Sequence, residues 1–124
     1  MAWVEPFTHT FTVTVMDLDC TGRMKMSAVL DYMQYVAEEH ADAIGVGRRD
    51  TLRYGYVWLV GRTHVQMDRL PQLDQTFTLT TWPGDHNRMT CPRHFVFRDQ
   101  QGQSFGKATM VWMLVEMCIR DRSY

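Results

Sequence analysis

Few residues in this 124-residue chain are of a type and spacing that could do chemistry, and most are carboxylates. Asp17 and Asp19 stand two apart in Asp17-Leu18-Asp19-Cys20-Thr21-Gly22, just past a Thr-rich stretch. A carboxylate in such a place can take a proton from water or attack an electrophilic carbon itself. Aspartates in loops also fold turns, by accepting hydrogen bonds from nearby backbone amides, and the sequence leaves both readings open. Glu38 follows Gln34 by four residues, which on a helix puts the two on one face. That pair can hold a water for activation, or belong with Asp31, Tyr35 and Asp42 to a solvated or dimer-facing polar stripe. Glu39 and His40 are adjacent, so they point apart on a helix and make a poor acid–base pair. Arg62, His64 and Gln66 alternate along one strand face. The guanidinium there can bind an acidic group or pair with a helix carboxylate.

Other chemistries find no support. No Ser-His-Asp or Cys-His grouping is visible, the five histidines lack metal-ligand spacing, and no glycine-rich phosphate loop is present. No metal or organic cofactor is expected. Cys20, Cys91 and Cys118 are scattered and form no CxxC pair, so neither a zinc site nor a disulfide framework is expected, and a reducing cytoplasm is the default. The net charge of −1 with no basic run argues against a nucleic-acid partner. The apolar runs are too short to span a bilayer, and the first six residues lack the basic-then-apolar order of a secretory signal.

These residues need a frame. With 45% apolar residues the chain can build one core without disulfides or metal. Phe7 to Met16 alternates apolar residues with Thr8, Thr10, Thr12 and Thr14, the period of a strand with one wet face. Ser27 to Ile44 predicts the one long helix, with Ser27 as N-cap, Leu30, Met33, Ala37, Ala41 and Ile44 as its apolar stripe, widened by Val29 and Val36, and Gly45 as C-cap. Gly45 to Gly55 reads as a loop. Strands are predicted at 56–68, 75–82, 88–98 and 103–116, separated by Pro71/Asp74, Pro83–Asn87 and Asp99–Gly102 turns. In the first, Val57, Leu59, Val65 and Met67 share one face, opposite Trp58, Arg62, His64 and Gln66. Pro92 demands an edge or a bulge, and the apolar run Met110–Val115 belongs inside the sheet. Strand, long helix, then four strands with short connections imply an α+β domain, a single curled antiparallel sheet around one helix. That is the hotdog arrangement.

An ordered set of residues then resembles a known family. It comprises Phe11-x-Val13, Asp17-x-Asp19-x-x-Gly22, Leu30-Asp31-Tyr32-Met33-Gln34-x-x-Ala37, His40-Ala41, Trp58-Leu59-Val60-x-Arg62, Thr80-Thr81-Trp82-Pro83, Arg93-x-Phe95 and Trp112-Met113-Leu114. Together they look like the first hotdog domain of acyl-acyl-carrier-protein (acyl-ACP) thioesterases, over about residues 7 to 116. The resemblance implies hydrolysis of acyl-ACP to free fatty acid in fatty acid biosynthesis. The implied partners are acyl carrier protein with its phosphopantetheine-linked acyl chain (or acyl-CoA) and a second hotdog, in tandem or as a homodimer. It implies a catalytic carboxylate at Asp17, Asp19 or Glu38, with Asp17 the closer loop match. Oxyanion donors are implied at Met26 and Ser27, where first-turn amides are free. Gln34, Trp58, Arg62 and Trp82 are implied in binding, Trp58 and Trp82 as parts of an acyl tunnel, while Trp112 is read as core. The family's His-Val-Asn-Asn-like motif, which carries its catalytic His and Asn in the second domain, is not found here. The expectation is therefore a 1–116 domain that shapes the acyl pocket, followed by a 117–124 tail unlike the family, as from a truncated or non-native end. Two alternatives remain: a complete homodimeric acyl-CoA thioesterase working through Asp17 or Glu38, and a non-catalytic acyl-thioester-binding module.

Overall fold

A computed structural model of the chain describes residues 5–85, 87 and 90–117. The order is β1 (Phe7–Thr12), a single 3-10 turn (Val15–Asp17), α1 (Met26–Ala43), α2 (Arg48–Arg53), β2 (Tyr56–Met67), β3 (Thr76–Pro83), β4 (Thr90–Arg98) and β5 (Ser104–Glu116). The strands form one antiparallel sheet in the order β1-β3-β4-β5-β2, which packs against α1 as the hotdog reading requires. Residues 118–124, most of the tail set apart above, lie outside the described residues, as do His86 and the start of the strand expected from Arg88.

The core is the inward face of the three middle strands closed by α1. Phe77, Leu79, Phe95, Phe97 and Phe105 meet Val29, Met33 and Val36, all fully buried. Each such phenylalanine contributes about 1.5–3 kcal/mol on burial. Edge-to-face geometry between Phe77 and Phe105, centroids 6.1 Å apart, adds the quadrupole match that aromatic pairs prefer.

Helix α1 buries Met33 and Ala37 of the expected stripe with Val29 and Val36 that widen it. It also buries Ala28 and His40, while Leu30 and Ala41 are half-buried and Ile44 is exposed, so the seam takes in a histidine and ends short of Ile44. Lys25, not Ser27, occupies the N-cap, and no side chain caps the first turn. The chain reaches the helix from a small loop in which the Lys25 amide donates to the Asp17 carbonyl at 2.7 Å, so the turn starts two residues earlier than Ser27 would set it. The C-terminus follows expectation: Gly45 has φ +81, its amide donates to the Asp42 carbonyl and the Val46 amide to the Ala41 carbonyl, the paired bonds of a Schellman stop.

Two further expectations are corrected. The Gly45–Gly55 segment holds α2, a short helix in which the Asp50 carboxylate accepts from the Gly47 amide at 3.0 Å. β2 is also not one regular strand. Its pairing with β5 shifts between Val60 and Arg62, leaving Gly61 as a bulge. A bulge reverses which residues face inward. Val65 and Met67 pack on the core, Trp58 shares that face, and Leu59 lies exposed. Nor do all consecutive strands pair: β2 joins β5 and β3 joins β1. The connection 68–75 must cross three strand spacings, roughly 14 Å, well within the reach of eight residues, about 26 Å. Pro92 sits in β4 just beyond the last β3 partner, Arg93, where no β3 residue pairs with it.

Candidate functional site

The second half of α1, α2 and the ends of β2, β4 and β5 enclose a hollow of about 1120 Å3. Ala37 and Ala41 line its helix side, and Trp58 and Trp112 its sheet side. Small helix residues leave the space, and the two indoles, on neighbouring strands, wall it. Trp58 is held by its Nε1–H, which donates to the Val46 carbonyl at 2.9 Å, just past the glycine stop of α1. At the strand ends the hollow reaches round to Trp82 and His94, cross-strand neighbours whose rings lie 5.8 Å apart.

Gln34 and Glu38 line the same hollow, one helical turn apart, with Glu38 exposed. Asp17 does not. It lines a second, smaller hollow of about 370 Å3 with Phe11, Tyr32 and Tyr35, near the start of α1. Its Oδ2 accepts from the Thr14 amide at 2.9 Å, the Thr14 hydroxyl at 3.2 Å and the Tyr32 hydroxyl. Partial burial pushes the Asp17 carboxyl up, but the Thr14 amide, the two hydroxyls and the Lys25 ammonium outweigh it and hold the group below the usual carboxylate range. The Tyr32 hydroxyl is pushed well above its ordinary value, by burial and then by Asp17. Asp19 folds its own loop: Oδ1 accepts from the Thr21 hydroxyl at 2.6 Å, the Thr21 amide at 2.8 Å and the Arg23 amide at 3.1 Å. Those bonds, the Thr21 hydroxyl first, keep it ionised to low pH. Met26 and Ser27 are exposed at the open first turn, away from both hollows, and Arg62 is exposed on the outer sheet face with His64 and Gln66. The structure therefore brings Gln34, Glu38 and Trp58 together on the α1 side of the sheet, leaves Trp82 on the outer face where the open hollow reaches round the strand ends, and keeps Asp17, Asp19, Met26, Ser27 and Arg62 away from the hollow.

Sequence reasoning missed a buried polar cluster on the wall of the main hollow. Arg93 is 6% exposed and His40 3%. An Arg93 NH1 donates to His40 Nδ1 at 2.8 Å and to the Thr81 hydroxyl at 3.3 Å, and that hydroxyl donates to the His94 carbonyl at 2.9 Å. Because a guanidinium only donates, His40 carries its proton on Nε2. Burial, then the Arg93 charge, holds the imidazole below its ordinary value, against the opposing pull of the Glu5 carbonyl. Burial also pulls Arg93 down and pushes the neighbouring Cys91 thiol up. One signal for Arg93 existed: it continues the alternation Arg93, Phe95, Phe97, whose other members are core.

The family model for the acyl-ACP thioesterase N-terminal domain matches residues 5–122, nearly the whole chain. This chain belongs to that family. The matched span includes most of the 117–124 tail. Chloroplastic dodecanoyl-[acyl-carrier-protein] hydrolases from Umbellularia californica and Cinnamomum camphora are each 27% identical over 124 aligned residues, covering 94% of this chain and 32% of the relative. Among solved structures, an acyl-ACP thioesterase from Bacteroides thetaiotaomicron superposes with TM-score 0.87 at 25% identity, covering 91% of this chain and 46% of the other. The 12:0-ACP thioesterase from Umbellularia californica gives 0.80 at 25%, covering 94% and 47%. A DHNA-CoA thioesterase from Staphylococcus aureus, at TM-score 0.82 and 10% identity over 91% of this chain and 76% of its own, shares the fold. The chain spans about a third of the length of its curated relatives. No described helix is long and apolar enough to cross a membrane.

Proposed function

We propose that this chain is the acyl-holding hotdog of an acyl-ACP thioesterase, and that thioester hydrolysis is completed by groups of a second hotdog. The observation that carries this reading is the hollow of about 1120 Å3 behind α1, walled by Ala37, Ala41, Trp58 and Trp112, in a chain of this family. An aliphatic chain gains about 0.8 kcal/mol for each methylene moved from water into such a wall, enough to hold a medium or long acyl group. Asp17 and Asp19 each commit one oxygen to three local hydrogen bonds, from Thr14 and Tyr32 in the one case and from Thr21 and Arg23 in the other. That favours reading both as carboxylates that fold the loop. Glu38, at the hollow with Gln34, is the carboxylate best placed to meet a bound thioester. Met26 and Ser27 would need a partner surface over the open first turn to act as oxyanion donors, and Arg62 a partner or carrier-protein acid beyond the outer sheet face.

The substrate is acyl carrier protein bearing a phosphopantetheine-linked acyl chain, with acyl-CoA the alternative, and no metal or organic cofactor is proposed to take part. The second hotdog is supplied in tandem or by another copy. The compartment is a reducing one, the cytoplasm in a bacterial setting. The test is to fill the hollow from its helix side. Ala41→Phe is expected to weaken binding of dodecanoyl-ACP, read by tryptophan fluorescence, at least about tenfold, as roughly two methylenes of lost burial would. Unchanged affinity in a folded variant would refute the assignment of the acyl chain to this hollow.

A further inference from the structure

Among the described residues, Arg93 is a buried cation with no carboxylate within pairing distance, although Glu38, Asp42 and Asp85 also line the hollow. Its hydrogen-bond partners among the described residues are neutral, the His40 ring nitrogen and the Thr81 hydroxyl, and both engage the same NH1. A guanidinium does not escape burial by losing its proton at neutral pH, and an unpaired buried charge costs several kcal/mol. Arg93 also lines the hollow, beside Ala37, Ala41, Trp58 and Trp112. A cationic fork beside an apolar wall makes a receptor for a planar anion on an aliphatic chain.

We propose that the hollow binds an aliphatic carboxylate, its anion seated on Arg93 and its chain along Ala37, Ala41 and Trp58. The inference rests on the acyl-holding role proposed above but needs no hydrolysis by this chain. Two sources carry this chemistry: the free fatty acid left by thioester hydrolysis, which would make the hollow a product-binding site, and an acyl thioester whose far end bears a second carboxylate.

The test titrates the 124-residue chain with sodium decanoate below its micelle concentration, with decanol and with decanoyl-pantetheine, following tryptophan fluorescence. Decanoate should bind roughly ten- to a hundredfold more tightly than decanol, as a hydrogen-bonded charge pair would give. Arg93→Met should abolish that preference while leaving decanol binding intact, which also reports that the variant is folded; if it does not fold, the wild-type ratio decides. Equal affinity for decanoate and decanol, or a preference that survives Arg93→Met, overturns the inference. Decanoyl-pantetheine binding without a decanoate preference would overturn this inference and leave the acyl-holding reading standing; no binding of any of the three would sink both. ω-Carboxynonanoyl-pantetheine distinguishes the sources: binding tighter than the plain thioester assigns a dicarboxylic acyl group, and binding no tighter assigns the free acid.

Discussion

Replacing Asp17 with Asn separates a carboxylate that folds the loop from one that does chemistry. One oxygen of Asp17 accepts from a backbone amide and two hydroxyls, Thr14 and Tyr32. Hydrogen bonds to a charged group contribute about 1.5–3 kcal/mol each when the partner is lost. Asn keeps the shape and one acceptor oxygen, and the site is only partly buried, so the expected cost is about 1–2 kcal/mol, at the solvent-screened end of that range. For a domain of this size that lowers the melting temperature by roughly 3–8 °C. The pH dependence is the sharper reading. The Asp17 carboxyl titrates lower folded than its ordinary 3.8, so its stabilisation is complete above the unfolded value and is lost as pH falls through the folded one. In urea titrations the gap between wild type and Asp17→Asn should hold from pH 7 to about 5 and close below 3.8. Combining Asp17→Asn with Tyr32→Phe should cost less than the two changes summed, since both break one contact. A gap that stays constant down to the acid transition, or no destabilisation at neutral pH, would refute the reasoning.

His40 gives the opposite end of the pH scale. Its folded value lies below its ordinary one, so the folded state resists protonation and stability declines as pH falls from about 6.5 toward the folded value. His40→Gln, measured by the same urea titrations, should flatten the curve in that window; an unchanged slope would show that the ring is not held neutral. Gly45→Ala should cost about 1 kcal/mol in thermal unfolding. An added Cβ meets nothing within 4 Å there, so the whole effect is the left-handed backbone at φ +81, and a neutral result would mean the helix stop relaxes freely.

The sequence and the structure agree where a period runs unbroken. The helix 26–43 declared itself by its apolar spacing, and Gly45 marked its end because only a left-handed residue closes that turn. The succession of four strands after the helix was equally visible in alternation and turn residues, but not the pairing of β2 with β5. What escaped was local geometry that no period reports. The bulge at Gly61 flips the second half of β2, so a strict two-residue alternation put Val57 and Leu59 with Val65 and Met67 and turned Trp58 outward. Arg48–Arg53 is too short and too charged to show a helical stripe. Arg93 and His40 escaped because charged and polar residues are solvated by default. Their burial follows from the alternation with Phe95 and Phe97 and from the extension of the α1 seam to His40, which only the packed structure fixes. Asp17 and Asp19 were legible as loop carboxylates, but the choice between turn and catalyst needed their partners.

The most direct test of the account is thiol release from dodecanoyl-ACP by the 124-residue chain on its own. The account predicts binding, seen as a tryptophan fluorescence change, with thiol appearing no faster than in buffer, unaltered by Glu38→Gln or Asp17→Asn. Turnover by the chain that either substitution abolishes would contradict it, and would place the hydrolytic carboxylate in this hotdog.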